Sequence, residues 1–179
     1  MLIAENCFLL VVDVQERLTP LIDNKESLLK NLTVLIKGTK VLGIPVLYSE
    51  QAPEKIGKTV KPIAQLVSGI KPIEKITFSC CADAAFMQAL GALECKQVLL
   101  AGIETHICVY QTAADLLNLG YDVHVVADGV SSRTAENRQI GLGLMEAEGA
   151  VITSVETALC ALVKKAEGQP FKEIIKLIK

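Results

Sequence analysis

The sequence predicts an α/β protein with a doubly wound, six-stranded parallel sheet and helices on both faces, in three layers. Short apolar segments alternate with segments of helical periodicity along the chain, as successive strand–helix–strand units do. The apolar fraction is 51% and the aromatic fraction 4%, so we expect an aliphatic core, which is common in such sheets. No repeat, linker or low-complexity tract interrupts the 179 residues, and we expect one domain spanning 1–179.

The first half of the chain supplies three predicted strands and two helices. An unbroken run of six apolar residues predicts a strand at 7–12, and an amphipathic pattern ended by glycine predicts a helix at 26–42. The second strand, at 44–48, contains a proline, which fits best at the beginning of a strand. A polar loop then leads to a shorter helix at 60–67 and a third strand at 73–76.

The second half continues the same alternation. Its strands are predicted where short apolar runs contain β-branched residues, and its helices where apolar residues recur at helical spacing. The expected strands are 97–101, 123–127 and 150–152. The expected helices are 83–93, 109–119, 134–148 and 155–165, followed by an amphipathic segment at 171–179. That last segment is too short to be stable alone, so we expect its own domain or a neighbouring subunit to cover it.

Composition and charge disfavour several classes of function. The net charge is −2 and no basic stripe occurs, so neither nucleic acid nor a membrane surface is an expected partner. The N-terminus lacks the pattern of a signal peptide, and no segment is long enough to span a bilayer. Six cysteines without an export signal suggest reduced thiols in the cytoplasm. Their spacing contains no C-x-x-C and there are only two histidines, so no metal site is expected.

Three side chains capable of chemistry follow three different predicted strands. Asp13 follows the first strand, Lys75 lies at the outgoing end of the third, and Cys108 follows the fourth. Ligands bind beyond the carboxyl ends of the strands in open parallel sheets, so we expect all three at one edge. Each also has an ordinary explanation: a loop acid or helix cap, a solvated lysine, and a cysteine that packs as a small hydrophobe.

Cys108 occupies a junction between a strand and a helix, just inside the helix. Free backbone N–H groups and the positive end of the helix dipole favour a thiolate and an oxyanion at such a position. The sequence therefore indicates Cys108 as a candidate nucleophile.

These residues resemble the isochorismatase-like cysteine hydrolases, a family that includes nicotinamidases. The resemblance rests on Asp13, on Lys75 with Phe78-Ser79, and on Gly102-Ile103 before Cys108-Val109. The chain is most similar to the isochorismatase domain-containing proteins of animals and their microbial relatives. That closer similarity involves residues 12–17, 43–46, 50–51, 104–106, 125–133 and 171–174. The resemblance implies a Rossmann-like fold and hydrolase activity.

The family implies a catalytic triad of Asp13, Lys75 and Cys108. Asp13 would accept the thiol proton, and Lys75 would hold the carboxylate and favour the thiolate. Cys108 would attack a carbonyl and form a thioester that water hydrolyses. The family also implies a cis peptide between Ile103 and Glu104, with the N–H groups of Glu104 and Cys108 as the oxyanion hole.

Two departures from the family pattern narrow the expected chemistry. Metal-binding nicotinamidases carry an Asp-x-His…His set after the second strand, whereas residues 48–53 contain no histidine, so neither a metal nor nicotinamide is expected. Glu104 stands where many amidases of the family have a small apolar residue. It could narrow the pocket, meet a cationic substrate group, or point away and cap the next helix. Candidate substrate-binding residues are Gln51, Phe78 and Thr105.

The sequence thus favours a cytoplasmic cysteine hydrolase, without a cofactor, that acts on a small amide or related carbonyl compound. The expected partners are that small-molecule substrate and further copies of the chain in a homo-oligomer. One alternative is an oligomeric interaction protein that has kept the fold with little or no activity. Another is a redox-responsive thiol protein, because a cysteine of low pKa is the one that peroxide oxidises first.

Overall fold

Six strands form one sheet in the computed structural model, which describes residues 1–179. The strands are β1 (Cys7–Val12), β2 (Val46–Gln51), β3 (Ile73–Lys75), β4 (Gln97–Ile103), β5 (Asp122–Ser131) and β6 (Val151–Thr153). Their order is β3-β2-β1-β4-β5-β6, and every neighbouring pair is parallel. The chain therefore begins at the centre of the sheet and winds outward to both edges.

The chain forms eight helices, and seven of them cover the two faces of this sheet. The eight helices are α1 (Lys25–Val41), α2 (Pro53–Ile56), α3 (Lys61–Leu66), α4 (Ala84–Gly91), α5 (Tyr110–Asn118), α6 (Ala135–Ala147), α7 (Val155–Val163) and α8 (Gly168–Ile178). The core beneath one face includes residues of α1, α3, α7 and α8, and the core beneath the other includes residues of α4, α5 and α6. The predicted three-layer, doubly wound α/β fold is confirmed. None of the helices is both long and apolar enough to cross a membrane.

The apolar run of β1 reflects its central position. All six of its residues are buried. Its odd-numbered residues belong to the core on the α1 side and its even-numbered residues to the core on the α5 side. Because side chains alternate between the faces of a strand, both faces must be apolar when helices cover both.

The C-terminal helix packs against its own chain. α8 contacts α1 and α7, and Ile174 is fully buried there. The predicted segment at 171–179 is helical, but the helix begins earlier, at Gly168.

Three strands extend two or more residues beyond their predicted carboxyl ends, and these extensions border the candidate site. β2 begins after Pro45 and continues through the polar residues 49–51, because their backbones pair with β3. β4 continues to Ile103 and β5 to Ser131, past an irregularity in their pairing. In β2, side-chain polarity hid the extension, since backbone pairing does not depend on the side chain.

Gly102 brings β1 and β4 close together where the strands end. Its φ is +120°, and a Cβ at this position would lie 2.2 Å from the carbonyl oxygen of Val12. Only glycine fits such an approach. β1 and β4 lie side by side where the winding of the chain reverses, so the crevice beyond their ends is the expected ligand site of this fold.

Candidate active site

Asp13 and Lys75 form a fully buried ion pair at the carboxyl edge of the sheet. Lys75 Nζ lies 2.6 Å from Asp13 Oδ2, and both side chains have no exposed surface. Asp13 directly follows β1 and has a φ of 51°, a left-handed conformation that is uncommon for residues other than glycine. The carboxylate and the ammonium compensate each other's charge, which buried charges require.

Lys75 Nζ has three further oxygen partners. It donates to Gln51 Oε1 at 2.9 Å and to the carbonyl oxygens of Thr77 and Phe78, both at 3.1 Å. Gln51 itself donates to the carbonyl of Ile76 at 2.6 Å. These contacts fix the ammonium against Asp13, so Lys75 is not the solvated surface lysine that its type alone would suggest.

Ser49 joins this cluster, although the sequence analysis did not single it out. Its hydroxyl donates to Asp13 Oδ1 at 2.7 Å, and the thiol of Cys80 donates to Ser49 Oγ at 3.6 Å. Ser49 and Cys80 are both buried. The only sequence signal was a serine two residues before Gln51, which has no meaning until β2 is known to continue that far.

Cys108 lies in a π-helical turn, Thr105–Val109, between β4 and α5. Burial raises the pKa of its thiol to about 12, and the Asp13 charge and a hydrogen bond with Asp13 act in the same direction. The Lys75 charge opposes this shift but does not reverse it. Burial thus opposes the local dipoles that favour a thiolate at Cys108, and its thiol lies beside the Asp13 carboxylate.

Glu104 follows a cis peptide bond with Ile103, and its backbone N–H has no hydrogen-bond partner in the chain. Its carboxylate contacts Arg133 three times: Oε1 to Nη2 at 2.8 Å, Oε2 to Nε at 3.1 Å, and Oε2 to the backbone N at 3.0 Å. Burial alone would raise the pKa of Glu104, but the hydrogen bonds and charge of Arg133 hold it below its ordinary value. Of the alternatives above, neither a helix cap nor a free carboxylate for a cationic substrate applies.

The other two candidate substrate-binding residues differ in their surroundings. Thr105 is completely buried and its hydroxyl has no hydrogen-bond partner. Phe78 is 55% exposed, and its contact with the triad is through its backbone carbonyl. The structure thus brings Gln51 to Lys75, places Thr105 at the start of the turn that carries Cys108, and leaves the Phe78 ring largely in solvent.

The end of β2 is occupied by contacts within the chain. Glu50, which is buried, accepts hydrogen bonds from the backbone N–H and the hydroxyl of Thr59, both at 2.7 Å. No group of three or more His, Cys, Asp or Glu side chains is placed to hold a metal ion.

The chain matches the isochorismatase domain over residues 7–157. It is 36% identical over 178 residues to the mouse isochorismatase domain-containing protein 2A, and the match covers 99% of this chain and 85% of that protein. The predicted family and its predicted subgroup are confirmed by this similarity.

Two solved structures share the fold over nearly the whole chain. A structure titled MAR1 ribonuclease from Caenorhabditis elegans has a TM-score of 0.92 and 35% identity, covering 99% of this chain and 91% of that one. The YcaC gene product of Escherichia coli, titled an octameric hydrolase of unknown specificity, has a TM-score of 0.93 and 21% identity, covering 98% and 89%. The chain belongs to the isochorismatase family of hydrolases.

Proposed function

We propose that this protein is a cysteine hydrolase that cleaves a small amide or related carbonyl compound through Asp13, Lys75 and Cys108. The observation that carries the proposal is the buried Asp13–Lys75 ion pair beside the Cys108 thiol. A buried thiol of raised pKa needs a base to become a nucleophile, and Asp13 is the carboxylate next to it.

In the proposed reaction, Asp13 takes the thiol proton as Cys108 Sγ attacks the substrate carbonyl. Asp13 then returns that proton to the leaving nitrogen as the tetrahedral intermediate collapses, leaving a thioester on Cys108. Water attacks the thioester with Asp13 as its base, and the acid is released with the thiol restored. The Lys75 ammonium stays paired with Asp13 and stabilises the carboxylate from which each proton abstraction starts.

The negative charge of each tetrahedral intermediate needs hydrogen-bond donors already in place. We assign this role to the backbone N–H groups of Glu104, which directly precedes the turn, and of Cys108 within it. The unpartnered N–H of Glu104 supports the assignment. We also propose that Gln51 and Thr105 contact the substrate, because one bonds to Lys75 and the other has a buried hydroxyl without a partner.

Cys108→Ala provides the test. The parent protein and this variant are incubated with a panel of small amides, ureido compounds and esters, and the released amine or acid is measured. We expect turnover in the parent and none in Cys108→Ala, because no thioester can form. Cys160→Ala removes an exposed cysteine distant from the site and should hydrolyse like the parent. Equal turnover in Cys108→Ala and the parent would refute the proposal.

Ribonuclease activity is a second candidate because the C. elegans relative with 35% identity carries that name. Two features weigh against it: the net charge is −2, and the active-site lysine is buried and paired with Asp13. Incubation of the parent and Cys108→Ala with a labelled RNA separates the two functions. Cleavage of RNA by the parent, with no hydrolysis in the amide panel, would favour the ribonuclease.

The two non-hydrolytic alternatives have less support. A redox-responsive Cys108 would need a lowered thiol pKa, whereas burial raises it. A pure interaction protein would have no use for a buried lysine–aspartate pair beside a thiol. We propose the cytoplasm as the working compartment, because all six cysteines are free thiols.

We also propose a homo-oligomer. The supporting observation is the shared fold with YcaC, which is described as an octamer. Light scattering at micromolar concentration should give a mass several times that of one chain. A mass equal to that of a single chain would refute this proposal.

A further inference from the structure

Ser49 touches Asp13 through both its side chain and its backbone. The Ser49 hydroxyl donates to Asp13 Oδ1 at 2.7 Å, and the Ser49 carbonyl accepts from the backbone N–H of Asp13 at 3.2 Å. Ser49 is 1% exposed, so water does not compete for these bonds. The position of the Asp13 side chain is therefore tied to β2 as well as to β1.

Cys80 fixes the direction in which the Ser49 hydroxyl proton points. The fully buried Cys80 thiol donates to Ser49 Oγ at 3.6 Å, and burial raises the pKa of this thiol to about 11, so it keeps its proton. Ser49 has a single proton, and with Cys80 as the donor to its oxygen that proton points to Asp13. The result is a chain of donors from Cys80 through Ser49 to the carboxylate.

Both oxygens of Asp13 are thereby held by different partners. Ser49 donates to Oδ1, and Lys75 donates to Oδ2 at 2.6 Å. The titratable groups that face the carboxylate are Lys75 from β3, Cys108 from the π-helical turn, and Cys80 across Ser49. With both oxygens held, the carboxylate cannot rotate away from Cys108.

We propose that Ser49 is a positioning residue for the hydrolysis described above. Its hydroxyl stabilises the Asp13 carboxylate by a hydrogen bond and holds it in the orientation that accepts the Cys108 proton. Cys80 contributes indirectly to the position of Asp13, because its thiol orients the Ser49 hydroxyl. The inference rests on the proposed function, and it can be tested without a known substrate.

The test follows the alkylation of Cys108 by iodoacetamide across pH, with mass mapping of each cysteine. Because Asp13 accepts the thiol proton, alkylation of Cys108 should decline at acid pH as the carboxylate takes up a proton. Ser49→Ala removes a hydrogen-bond donor to that carboxylate, so the midpoint of this decline should move up by about one pH unit. Ser49→Thr keeps the hydroxyl and should restore the parent midpoint. Cys80→Ala should move the midpoint in the same direction by less.

Thr39→Val is the matched control for a lost buried hydroxyl, because the Thr39 hydroxyl bonds only to the carbonyl of Ile36 within α1. It should leave the midpoint unchanged. Melting temperatures identify any variant that is not folded, and Ser49→Cys, a weaker donor, replaces Ser49→Ala in that case with a smaller shift expected. A folded Ser49→Ala or Ser49→Cys protein whose profile superimposes on the parent's overturns the inference.

The proposed function and the role of Ser49 can be refuted independently of each other. A parent protein that hydrolyses nothing in the amide panel, yet shows the midpoint shift with Ser49→Ala, would leave the role of Ser49 intact. Hydrolysis by the parent with no shift in the variant would refute Ser49 alone.

Discussion

Arg133 holds both carboxylate oxygens of Glu104, so the end of β5 is fastened to the turn that carries Cys108. The two partners differ in exposure, since the Glu104 side chain is 8% exposed and that of Arg133 is 59% exposed. Removing Arg133 would leave a nearly buried carboxylate without its cation, which is the costly case for a buried charge.

Arg133→Met should lower both stability and turnover. We expect a loss of about 1–2 kcal/mol in the free energy of unfolding, a range reduced because Arg133 is largely solvated. The kcat should fall more than the KM rises, because the proposed oxyanion donor is the Glu104 N–H. Arg17→Met is the control, since Arg17 donates only to a backbone carbonyl.

The same variant has a predictable pH dependence. The pKa of Glu104 is held below its ordinary value of 4.5, so the pair stabilises the fold above that pH and ceases to do so as the pH falls further. The difference in melting temperature between the parent and Arg133→Met should therefore shrink below about pH 4.5. A difference that stays constant from neutral pH to acid would contradict this account of the pair.

Gly141→Ala should disturb the turn of Cys108 from the other side. A Cβ at Gly141 in α6 would lie 2.7 Å from the backbone of Thr105 and 2.8 Å from His106 Cα, so α6 or the turn must move. We expect a loss of about 1–3 kcal/mol in stability, as overpacking typically causes, together with reduced hydrolysis. Urea unfolding and turnover would measure the two effects.

Gly143→Ala is the matched control in the same helix. No atom lies within 4 Å of its would-be Cβ, and alanine favours a helix over glycine by up to about 1 kcal/mol. It should leave activity unchanged and stability equal or higher. If Gly141→Ala behaved in the same way, the close packing of α6 on the turn would be functionally unimportant.

Asp13→Asn should lower both the pKa of the Cys108 thiol and the turnover. The charge and hydrogen bond of Asp13 both raise the pKa of Cys108, so that pKa should fall below about 12 in the variant. Turnover should nevertheless fall by about 10²–10⁴-fold, because the general base is gone. The pKa of Cys108 is measured from the thiolate absorbance as a function of pH. The absorbance of the same protein carrying Cys108→Ala is subtracted to remove the contribution of the other thiols.

Lys75→Met should change the pKa of the Cys108 thiol in the opposite direction to Asp13→Asn. The Lys75 charge lowers the pKa of Cys108, so its loss should raise that pKa further and also leave Asp13 unpaired. An unchanged Cys108 titration in both Asp13→Asn and Lys75→Met would show that the three side chains do not act on one another.

Alkaline pH should destabilise the fold through its buried thiols. Burial raises the pKa values of Cys7, Cys81 and Cys108 from 9.0 to about 12, and that of Cys80 to about 11. Folding keeps these thiols protonated, so stability is complete below about pH 9 and declines from there toward pH 11–12. Denaturant unfolding at a series of pH values would reveal the slope.

Cys7→Ala should flatten that slope, because Cys7 lies in β1 with no exposed surface and away from the site. Cys160→Ala should not change it, since Cys160 is exposed. A parent protein equally stable at pH 8 and pH 11 would contradict the prediction.

The sequence by itself determined the sheet, the edge at which the site lies, and the candidate residues. The apolar run of β1 and the helical spacing after it could satisfy only a parallel sheet covered on both faces. Asp13, Lys75 and Cys108 lie at or beyond the carboxyl ends of strands of that sheet. The family pattern then indicated that the three belong together.

The tertiary structure alone decided the surroundings of those residues. Ser49 is one serine among several until β2 extends to Gln51, and nothing near Glu104 in the chain points to Arg133, 29 residues away. The pKa of the Cys108 thiol also depends on the tertiary structure. A helix N-terminus favours a thiolate through local dipoles, but burial and the facing carboxylate outweigh them, and both come from distant parts of the chain.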